Sequence, residues 1–271
     1  MRVITLAALA LFATACSATS VGTVAVEQRA GLVVAVGGGG TPEGVIRHVA
    51  SLAGGAAARV IVLPQASEVS DGQASAAMWR EQGAGTAEVL ADLGAVDAAE
   101  RLRAADVIWM PGGDQTRLMA RLAEHDLIAA VRAAHAAGTI VGGTSAGAAV
   151  LSEVMISGSP EPLALRGGAM APLAGLGLLP WAIVDQHFVE RDRLPRLLTA
   201  VLDHPALIGI GISERTAALV DGRTIEVMGE GQVLVVDARG AAAPRAAAGA
   251  LQTARGVTLH ALAPGERAAL P

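Results

Sequence analysis

The feature that most constrains the fold is a series of short apolar runs, each ending at or near a turn-forming or polar segment. Runs that are apolar at nearly every position, and not at alternate positions, are typical of strands buried on both faces. Strands are predicted over Leu32–Val36, Arg59–Leu63, Val107–Met110, Thr139–Val141 and Ala182–Val184. Segments with helical spacing, among them residues 74–93, separate these runs, so we predict an α/β fold with a mostly parallel sheet flanked by helices.

Antiparallel strands are expected towards the C-terminus, where the helical segments become rare. Strands are predicted over Leu207–Ile212 and Thr216–Val220. Thr224–Met228 and Gln232–Val236 flank the turn Gly229-Glu230-Gly231, a pattern that favours a hairpin.

The N-terminus has the layout of an export signal, with a positive start, an uncharged apolar run over Val3–Phe12 and then Ala13-Thr14-Ala15-Cys16. We expect residues 1–15 to be a signal peptide of lipoprotein type, with Cys16 as the lipidated first mature residue. Ordinary cleavage at the Ala-x-Ala site is the alternative. Residues 17–30 are expected to be a linker, and residues 31–271 a single catalytic domain. The protein is therefore expected to be exported to the cell envelope, or else to be a soluble secreted or periplasmic protein.

Charge and composition exclude several classes of function. The net charge of −5 gives no reason to expect nucleic-acid binding, which normally needs a basic surface. Aromatic residues make up only 2% of the chain, so the core must consist mainly of aliphatic side chains and alanine. No His, Cys, Asp and Glu set shows metal-ligand spacing. The run Gly37–Gly40 lacks the dinucleotide fingerprint, so neither a metal nor a cofactor is expected.

Ser145 is the strongest candidate for a nucleophile. It lies in Gly143-Thr144-Ser145-Ala146-Gly147, a Gly-x-Ser-x-Gly pattern between a predicted strand and a predicted helix. Such a turn exposes a serine hydroxyl, and the amide of the next residue, Ala146, can stabilise an oxyanion. A glycine-rich turn in which the serine only caps a helix is the alternative.

A serine nucleophile needs a base and a group that orients the base. His187 follows a predicted buried strand within Asp185-Gln186-His187-Phe188, whereas the other histidines fall in predicted helices, turns or the tail. Glu214 directly follows a strand and is the best-placed acid, with Asp185 as its rival. A structural histidine and a solvated glutamate remain the alternative interpretations.

A second glycine turn, Gly112-Gly113-Asp114-Gln115, also follows a strand. Amides at Gly113 and Asp114 are expected to help form the oxyanion hole, and Gln115 is a candidate to hold substrate. The cluster Arg191, Arg193 and Arg196 favours an acidic substrate, because arginine binds carboxylates through paired hydrogen bonds. A solvated helix start is the alternative for this cluster.

Several of these motifs together resemble the cyanophycinases, which belong to the peptidase E-like serine peptidases of family S51. The matching pieces, spread over residues 32–221, are Pro111–Gln115, Gly142–Gly147, Gly175–Leu179, Asp185–Phe188 with Arg191 and Arg193, and Gly209–Glu214 with Thr216 and Ala217. Two positions depart from the family pattern: Ser213 replaces a common Asp, and Leu194-Pro195 replaces a glycine-containing turn.

The resemblance implies a Ser145–His187–Glu214 triad, a fold like that of class I glutamine amidotransferases and a homodimer. It also implies substrate binding by Gln115, Asp185, Gln186, Arg191, Arg193 and Arg196. The implied activity is that of an exopeptidase that cuts cyanophycin, multi-L-arginyl-poly-L-aspartate, into β-aspartyl-arginine dipeptides. The signal-like N-terminus adds the expectation that this exopeptidase is secreted or lipid-anchored. The alternatives are a dipeptidase or amidase for small aspartyl peptides and a non-catalytic envelope binding lipoprotein.

Overall fold

The computed structural model describes residues 30–158 and 165–270. The predicted signal peptide, Cys16 and all but the last residue of the predicted linker lie outside the described residues. The strands are β1 (Val33–Val36), β2 (Arg59–Val62), β3 (Thr86–Val89), β4 (Val107–Met110), β5 (Ile140–Thr144), β6 (Val154–Ile156), β7 (Pro172–Ala174), β8 (Ala182–Asp185), β9 (Ile208–Ile212), β10 (Thr216–Asp221), β11 (Thr224–Gly229), β12 (Val233–Asp237), β13 (Thr258–Leu262) and β14 (Arg267–Ala269). The α-helices are α1 (Glu43–Leu52), α2 (Gln73–Glu81), α3 (Ala98–Ala104), α4 (Gln115–Glu124), α5 (Ile128–Ala136), α6 (Ala146–Ala149) and α7 (Leu194–Asp203).

The largest sheet has eight strands in the order β14-β11-β10-β1-β5-β4-β2-β3. The pairs from β1 through β5, β4 and β2 to β3 are parallel, and those from β1 through β10 and β11 to β14 are antiparallel. The predicted large, mostly parallel sheet with antiparallel strands near the C-terminus is confirmed. Because the carboxyl ends of parallel strands share one edge, the segments after β1, β4 and β5 meet there.

The central strands β1, β4 and β5 are buried on both faces, as their continuous apolar sequence predicts. Along β1, Val33 and Ala35 belong to one hydrophobic cluster, and Val34 and Val36 belong to another on the opposite face. Helices α1 and α2 pack on the second face, and α3, α4, α5 and α6 pack on the first. Alternate residues of a strand point to opposite faces, so both sides of the sheet need a cover.

A second sheet, which the sequence did not indicate, has four strands in the order β13-β12-β9-β8. One of its faces shares the cluster of the first sheet through residues such as Val184, Ile210 and Val235. The opposite face packs on α7. The short strands β6 and β7 form a separate pair. The chain returns from the second sheet to the first between β9 and β10, at residues 213–215.

The predicted hairpin over residues 224–236 is wrong. Strand β11 pairs with β10 and β14 in the first sheet, whereas β12 pairs with β9 and β13 in the second. The hairpin that forms joins β10 to β11 through Gly222 and Arg223, with Asp221 opposite Thr224. Both pairs of strands flank glycine-containing turns, so the local pattern did not discriminate between them.

Helical spacing over residues 74–93 also predicted too much helix. The helix α2 ends at Glu81, and residues 86–89 form the edge strand β3. Trp79, at the buried face of α2, packs edge-on against Trp109 of β4, with ring centroids 5.4 Å apart. In the part of the chain that the structure describes, no helix is both long enough and apolar enough to cross a bilayer.

We expect His135 to make the fold sensitive to mild acid. Burial in α5 lowers the pKa of its imidazole, although a hydrogen bond with the Gly31 backbone partly opposes this. Because the unfolded chain then binds a proton that the folded chain does not, stability should be complete above about pH 6.5 and decline as the pH falls. Urea midpoints at pH 7.5 and 5.5 should differ less for His135→Gln than for the wild type. The exposed His260→Gln is the control, and an undiminished pH effect in His135→Gln would contradict the prediction.

Candidate active site

Ser145 lies at a sharp turn between β5 and α6, so the predicted strand–turn–helix arrangement is present. Its backbone has φ 53° and ψ −111°, a conformation that is strained for a residue with a β-carbon. The turn is held by the Ser145 amide, which donates to the Val36 carbonyl at 2.9 Å. It also needs glycine at 147, where a β-carbon would lie 1.9 Å from the Met110 carbonyl oxygen. The turn directs the Ser145 hydroxyl towards His187.

His187 follows β8 of the second sheet, which ends at Asp185, and is separated from it by Gln186 alone. Its backbone also has a positive φ of 48°, and its amide donates to the Gly37 carbonyl at 2.6 Å. The next residue, Phe188, is buried, and its amide donates to the Ile212 carbonyl of β9. These contacts fix the start of the segment after β8. His187 itself is only 9% exposed.

Glu214 lies on the connection between the two sheets, after β9 and before β10. Glu190, which the sequence did not single out, accepts a hydrogen bond from the Glu214 amide at 3.0 Å. Arg215 has a φ of 53°, and its guanidinium forms an ion pair with Glu230. A hydrogen bond from Arg215 holds the pKa of Glu230 below its usual value. The charge of Arg215, the residue that follows Glu214 in the sequence, is therefore already paired with Glu230.

The three side chains form a continuous hydrogen-bonded chain. Ser145 Oγ lies 2.8 Å from His187 Nε2, and His187 Nδ1 lies 2.5 Å from Glu214 Oε1. A carboxylate that accepts from Nδ1–H selects the imidazole tautomer in which Nε2 is a proton acceptor. In this arrangement His187 can take the proton of the serine hydroxyl. The carboxylate at the imidazole is Glu214 and not its rival Asp185.

The two predicted oxyanion turns lie beside Ser145. Ala146 begins α6, where the first backbone N–H groups have no acceptor within the helix. The turn after β4 comes close to the nucleophile, since a β-carbon built on Gly112 would lie 3.9 Å from Ser145 Oγ. Asp114 has a different role from the predicted one. Its amide donates to the Ala66 carbonyl, and its side chain caps α4 by accepting from the Thr116 and Arg117 amides. Ala146 and Gly113 remain the predicted donors.

Asp185 and Arg196 form a buried ion pair, where the sequence predicted two contacts with substrate. Each residue is only 1% exposed. Arg196 Nε donates to one carboxylate oxygen at 2.9 Å, and Nη2 donates to the other at 2.5 Å. The carboxylate also accepts from the Gln186 amide at 2.9 Å. With both charges used inside the protein, this pair joins α7 to the end of β8, two residues before His187.

The other predicted substrate-binding residues divide between the interior and the surface. Arg193 is 8% exposed, and it donates to both the backbone carbonyl and the side-chain oxygen of Gln186. Gln115 is buried, and its amide donates to the Ile156 carbonyl at 3.1 Å. Arg191 alone of the six is exposed. Substrate binding by these residues stays a prediction. Arg191 can contact a substrate without a rearrangement of the protein, because its side chain is already exposed.

We expect removal of one partner of the buried ion pair to be costly. Arg196→Met leaves the buried Asp185 carboxylate with only the more distant guanidinium of Arg193, 3.8 Å away, which should lower the free energy of unfolding by about 3–5 kcal/mol. The double variant Asp185→Leu/Arg196→Met removes both charges and should recover much of that loss. Urea unfolding of the two variants and the wild type measures both effects. A loss below about 1 kcal/mol in Arg196→Met would show that the ion pair does not stabilise the segment before His187.

The sequence did not identify the role of the run Gly37–Gly40, although it noted the run. Its residues Gly38 and Gly39 lie against the His187 ring and the Glu214 carboxylate. Among residues 30–158 and 165–270, no group of three or more His, Cys, Asp or Glu side chains is arranged to hold a metal ion.

Comparison with protein-family models matches residues 32–228 to peptidase family S51. This range includes Ser145, His187 and Glu214, together with the strands β1–β10. It ends at Met228 in β11, so β12 and β13 of the second sheet and β14 of the first sheet lie beyond it.

Relatives of established name are similar over most of the chain. Cyanophycinase from Synechococcus elongatus is 39% identical over 222 residues, which cover 77% of this chain and 69% of the relative. Cyanophycinase from Geminocystis herdmanii is 37% identical over 200 residues, 68% of this chain and 71% of the relative. A solved peptidase from an acI-B1 actinobacterium has a TM-score of 0.67 at 21% identity and covers 90% of this chain and 98% of its own. That last similarity concerns the fold.

Proposed function

Because the chain belongs to peptidase family S51 and is a serine-type peptidase, we propose that Ser145, His187 and Glu214 are its catalytic triad and that its substrate is cyanophycin. The observation that carries the proposal is the hydrogen-bonded chain from Ser145 Oγ through the imidazole to Glu214. The cyanophycinase relatives support the choice of substrate, a polyaspartate backbone with an arginine on each side-chain carboxyl. The products would be β-aspartyl-arginine dipeptides.

The proposed reaction is an acyl transfer in two stages. His187 Nε2 takes the hydroxyl proton as Ser145 Oγ attacks the backbone carbonyl carbon, and Glu214 stabilises the imidazolium that forms. The amides of Ala146 and Gly113 stabilise the oxyanion of the tetrahedral intermediate. His187 then gives its proton to the leaving amine, which leaves an ester on Ser145. Water, deprotonated by His187, hydrolyses that ester and restores the free serine.

The exposed Arg191 is proposed to bind a carboxylate of the substrate. It lies four residues after His187, and its amide donates to the His187 carbonyl. A guanidinium at this position can form paired hydrogen bonds with a carboxylate such as the terminal group of an aspartyl peptide. An exopeptidase needs a group of this kind, because it must recognise a chain end as well as the bond to be cut.

The test compares two substrates with one control variant. Purified protein and Ser145→Ala are incubated with insoluble cyanophycin and, separately, with small aspartyl dipeptides. Clearing of the polymer with release of β-aspartyl-arginine by the wild type, but not by Ser145→Ala, supports the proposal. Turnover of dipeptides alone would replace cyanophycin with small aspartyl peptides as the substrate. Binding without turnover of either substrate would contradict the proposed catalytic role of the triad.

We also propose export with a lipid anchor on Cys16, supported by the signal-like N-terminal sequence. Cells that express the protein with labelled palmitate should give a labelled product, and Cys16→Ser should give none. An unlabelled wild-type product whose N-terminus is Cys16 would indicate simple cleavage instead.

A homodimer is proposed from the family resemblance. Analytical ultracentrifugation of a form that begins at residue 17 tests it, and a monomer at micromolar concentration would contradict it.

A further inference from the structure

We infer that the segment Val36–Gly39, here called the template segment, positions all three residues of the triad through its backbone. This inference rests on the proposed catalytic function of Ser145, His187 and Glu214. The segment leaves the carboxyl end of β1, in the middle of the first sheet. The contacts are made by backbone atoms and not by side chains, so no chemically reactive residue marks the template segment in the sequence.

Three consecutive carbonyl groups of the template segment accept hydrogen bonds from the three parts of the site. The Val36 carbonyl accepts from the Ser145 amide at 2.9 Å, and the Gly37 carbonyl accepts from the His187 amide at 2.6 Å. The Gly38 carbonyl accepts from the Arg215 amide, next to Glu214, at 2.8 Å. The backbones of the nucleophile, the base and the residue beside the acid are thus fixed to successive peptide units of one strand end.

The same segment lies in contact with the reacting side chains. A β-carbon built on Gly38 would be 2.2 Å from Cε1 and 2.4 Å from Nε2 of the His187 ring. A β-carbon on Gly39 would be 2.5 Å from Oε2 of Glu214. Only glycine therefore allows the ring and the carboxylate to occupy their present positions. Here the absence of a side chain sets where the imidazole lies.

The origin of the triad explains why such a segment is needed. Ser145 follows a strand of the first sheet, His187 follows a strand of the second, and Glu214 lies on the connection between them. A shift of one sheet against the other would change the distance from Ser145 to His187. Misplacement by about 1 Å can cost about 100-fold in rate. The template segment bonds to all three sites and so opposes such a shift.

Neighbouring glycines provide a matched pair of variants. Gly38 and Gly40 have nearly the same positive φ, 99° and 96°, which disfavours a residue with a β-carbon at both positions. At Gly40, however, the nearest atom to a new β-carbon is the flexible end of Arg215 at 3.6 Å. Gly38→Ala should displace the imidazole, and Gly40→Ala should not.

The first measurement is the rate at which diisopropyl fluorophosphate phosphorylates Ser145 with loss of fluoride, a reaction that does not depend on the identity of the substrate. Wild type and Gly40→Ala should react at rates within about threefold of each other. Gly38→Ala should react at least about 100-fold more slowly. In proton NMR, the downfield signal of the His187 Nδ1 proton should be present in wild type and Gly40→Ala and absent in Gly38→Ala. Loss of general stability alone would not produce that spectroscopic difference.

The second measurement keeps the inference testable if Gly38→Ala folds poorly. Gly38→Ala should lower Tm more in the wild-type background than in His187→Ala, where the ring that the new methyl group meets has been removed. Equal losses of Tm in the two backgrounds, or equal phosphorylation rates of folded Gly38→Ala and Gly40→Ala, would overturn the inference. A wild type that is not phosphorylated at Ser145 by the reagent would contradict the proposed function, while the Tm comparison would still decide on the template segment.

Discussion

His187→Ala is expected to lower kcat for hydrolysis by about a million-fold. The imidazole forms a hydrogen bond with Ser145 Oγ, which lies 2.8 Å from Nε2. Without it the hydroxyl keeps its proton and the leaving amine receives none, so both stages of the reaction lose their proton transfer. The fold should persist, because the hydrogen bond from the residue 187 amide to the Gly37 carbonyl does not depend on the side chain.

Steady-state kinetics on the accepted substrate, with Ser145→Ala and the double variant Ser145→Ala/His187→Ala beside it, checks this expectation. The three rates should be nearly equal, because residues that act as one unit are strongly non-additive. The exposed His260→Ala serves as the control and should keep wild-type kcat. A double variant slower than either single variant by a further factor of a thousand would mean that serine and histidine act independently.

Glu214→Gln is expected to lower kcat by about ten-thousand-fold with little change in overall shape. The glutamine is nearly isosteric, but it carries an amide group that can donate to Nδ1. That donation favours the imidazole tautomer with its proton on Nε2, which then faces Ser145 with a proton instead of a lone pair. The loss should therefore appear mainly in kcat, with KM changed much less.

Kinetics across a range of pH on Glu214→Gln, and on the exposed Glu81→Gln as a control, measure the effect. The 2.5 Å contact between His187 Nδ1 and Glu214 Oε1 carries the prediction. Glu81 lies at the end of α2 and should be silent. Activity of Glu214→Gln within tenfold of the wild type would show that another group orients the imidazole.

The sequence was most informative where a single local rule decides the structure. Continuous apolar runs identified β1, β2, β4, β5 and β8 to within a few residues, because strands buried on both faces tolerate few polar side chains. The glycine pattern around Ser145 identified the turn between β5 and α6 for a similar reason. Steric limits on the backbone are visible in a sequence, since only glycine satisfies them.

The sequence was less informative where partners far apart in the chain decide. The strands β11 and β12 read as one hairpin, yet they join different sheets, because β12 pairs with β9 and β13, which are distant in the sequence, while β11 forms its hairpin with β10. Asp185 and Arg196 read as contacts for substrate, and their burial could be seen only once α7 was placed on the second sheet. The type and charge of each side chain can be read from the sequence, whereas the residue with which a charged side chain pairs depends on how the chain packs.

The division of the triad between two sheets has a consequence for the order in which the chain is made. The nucleophile emerges from the ribosome 42 residues before the base, and the base 27 residues before the acid. The strand that follows the acid, β10, is the direct neighbour of β1, the strand from which the template segment extends. A nascent or truncated chain that ends before β10 therefore carries an inert serine. Hydrolytic activity therefore requires β10 to pair with β1, and partial chains that lack β10 are expected to be inactive.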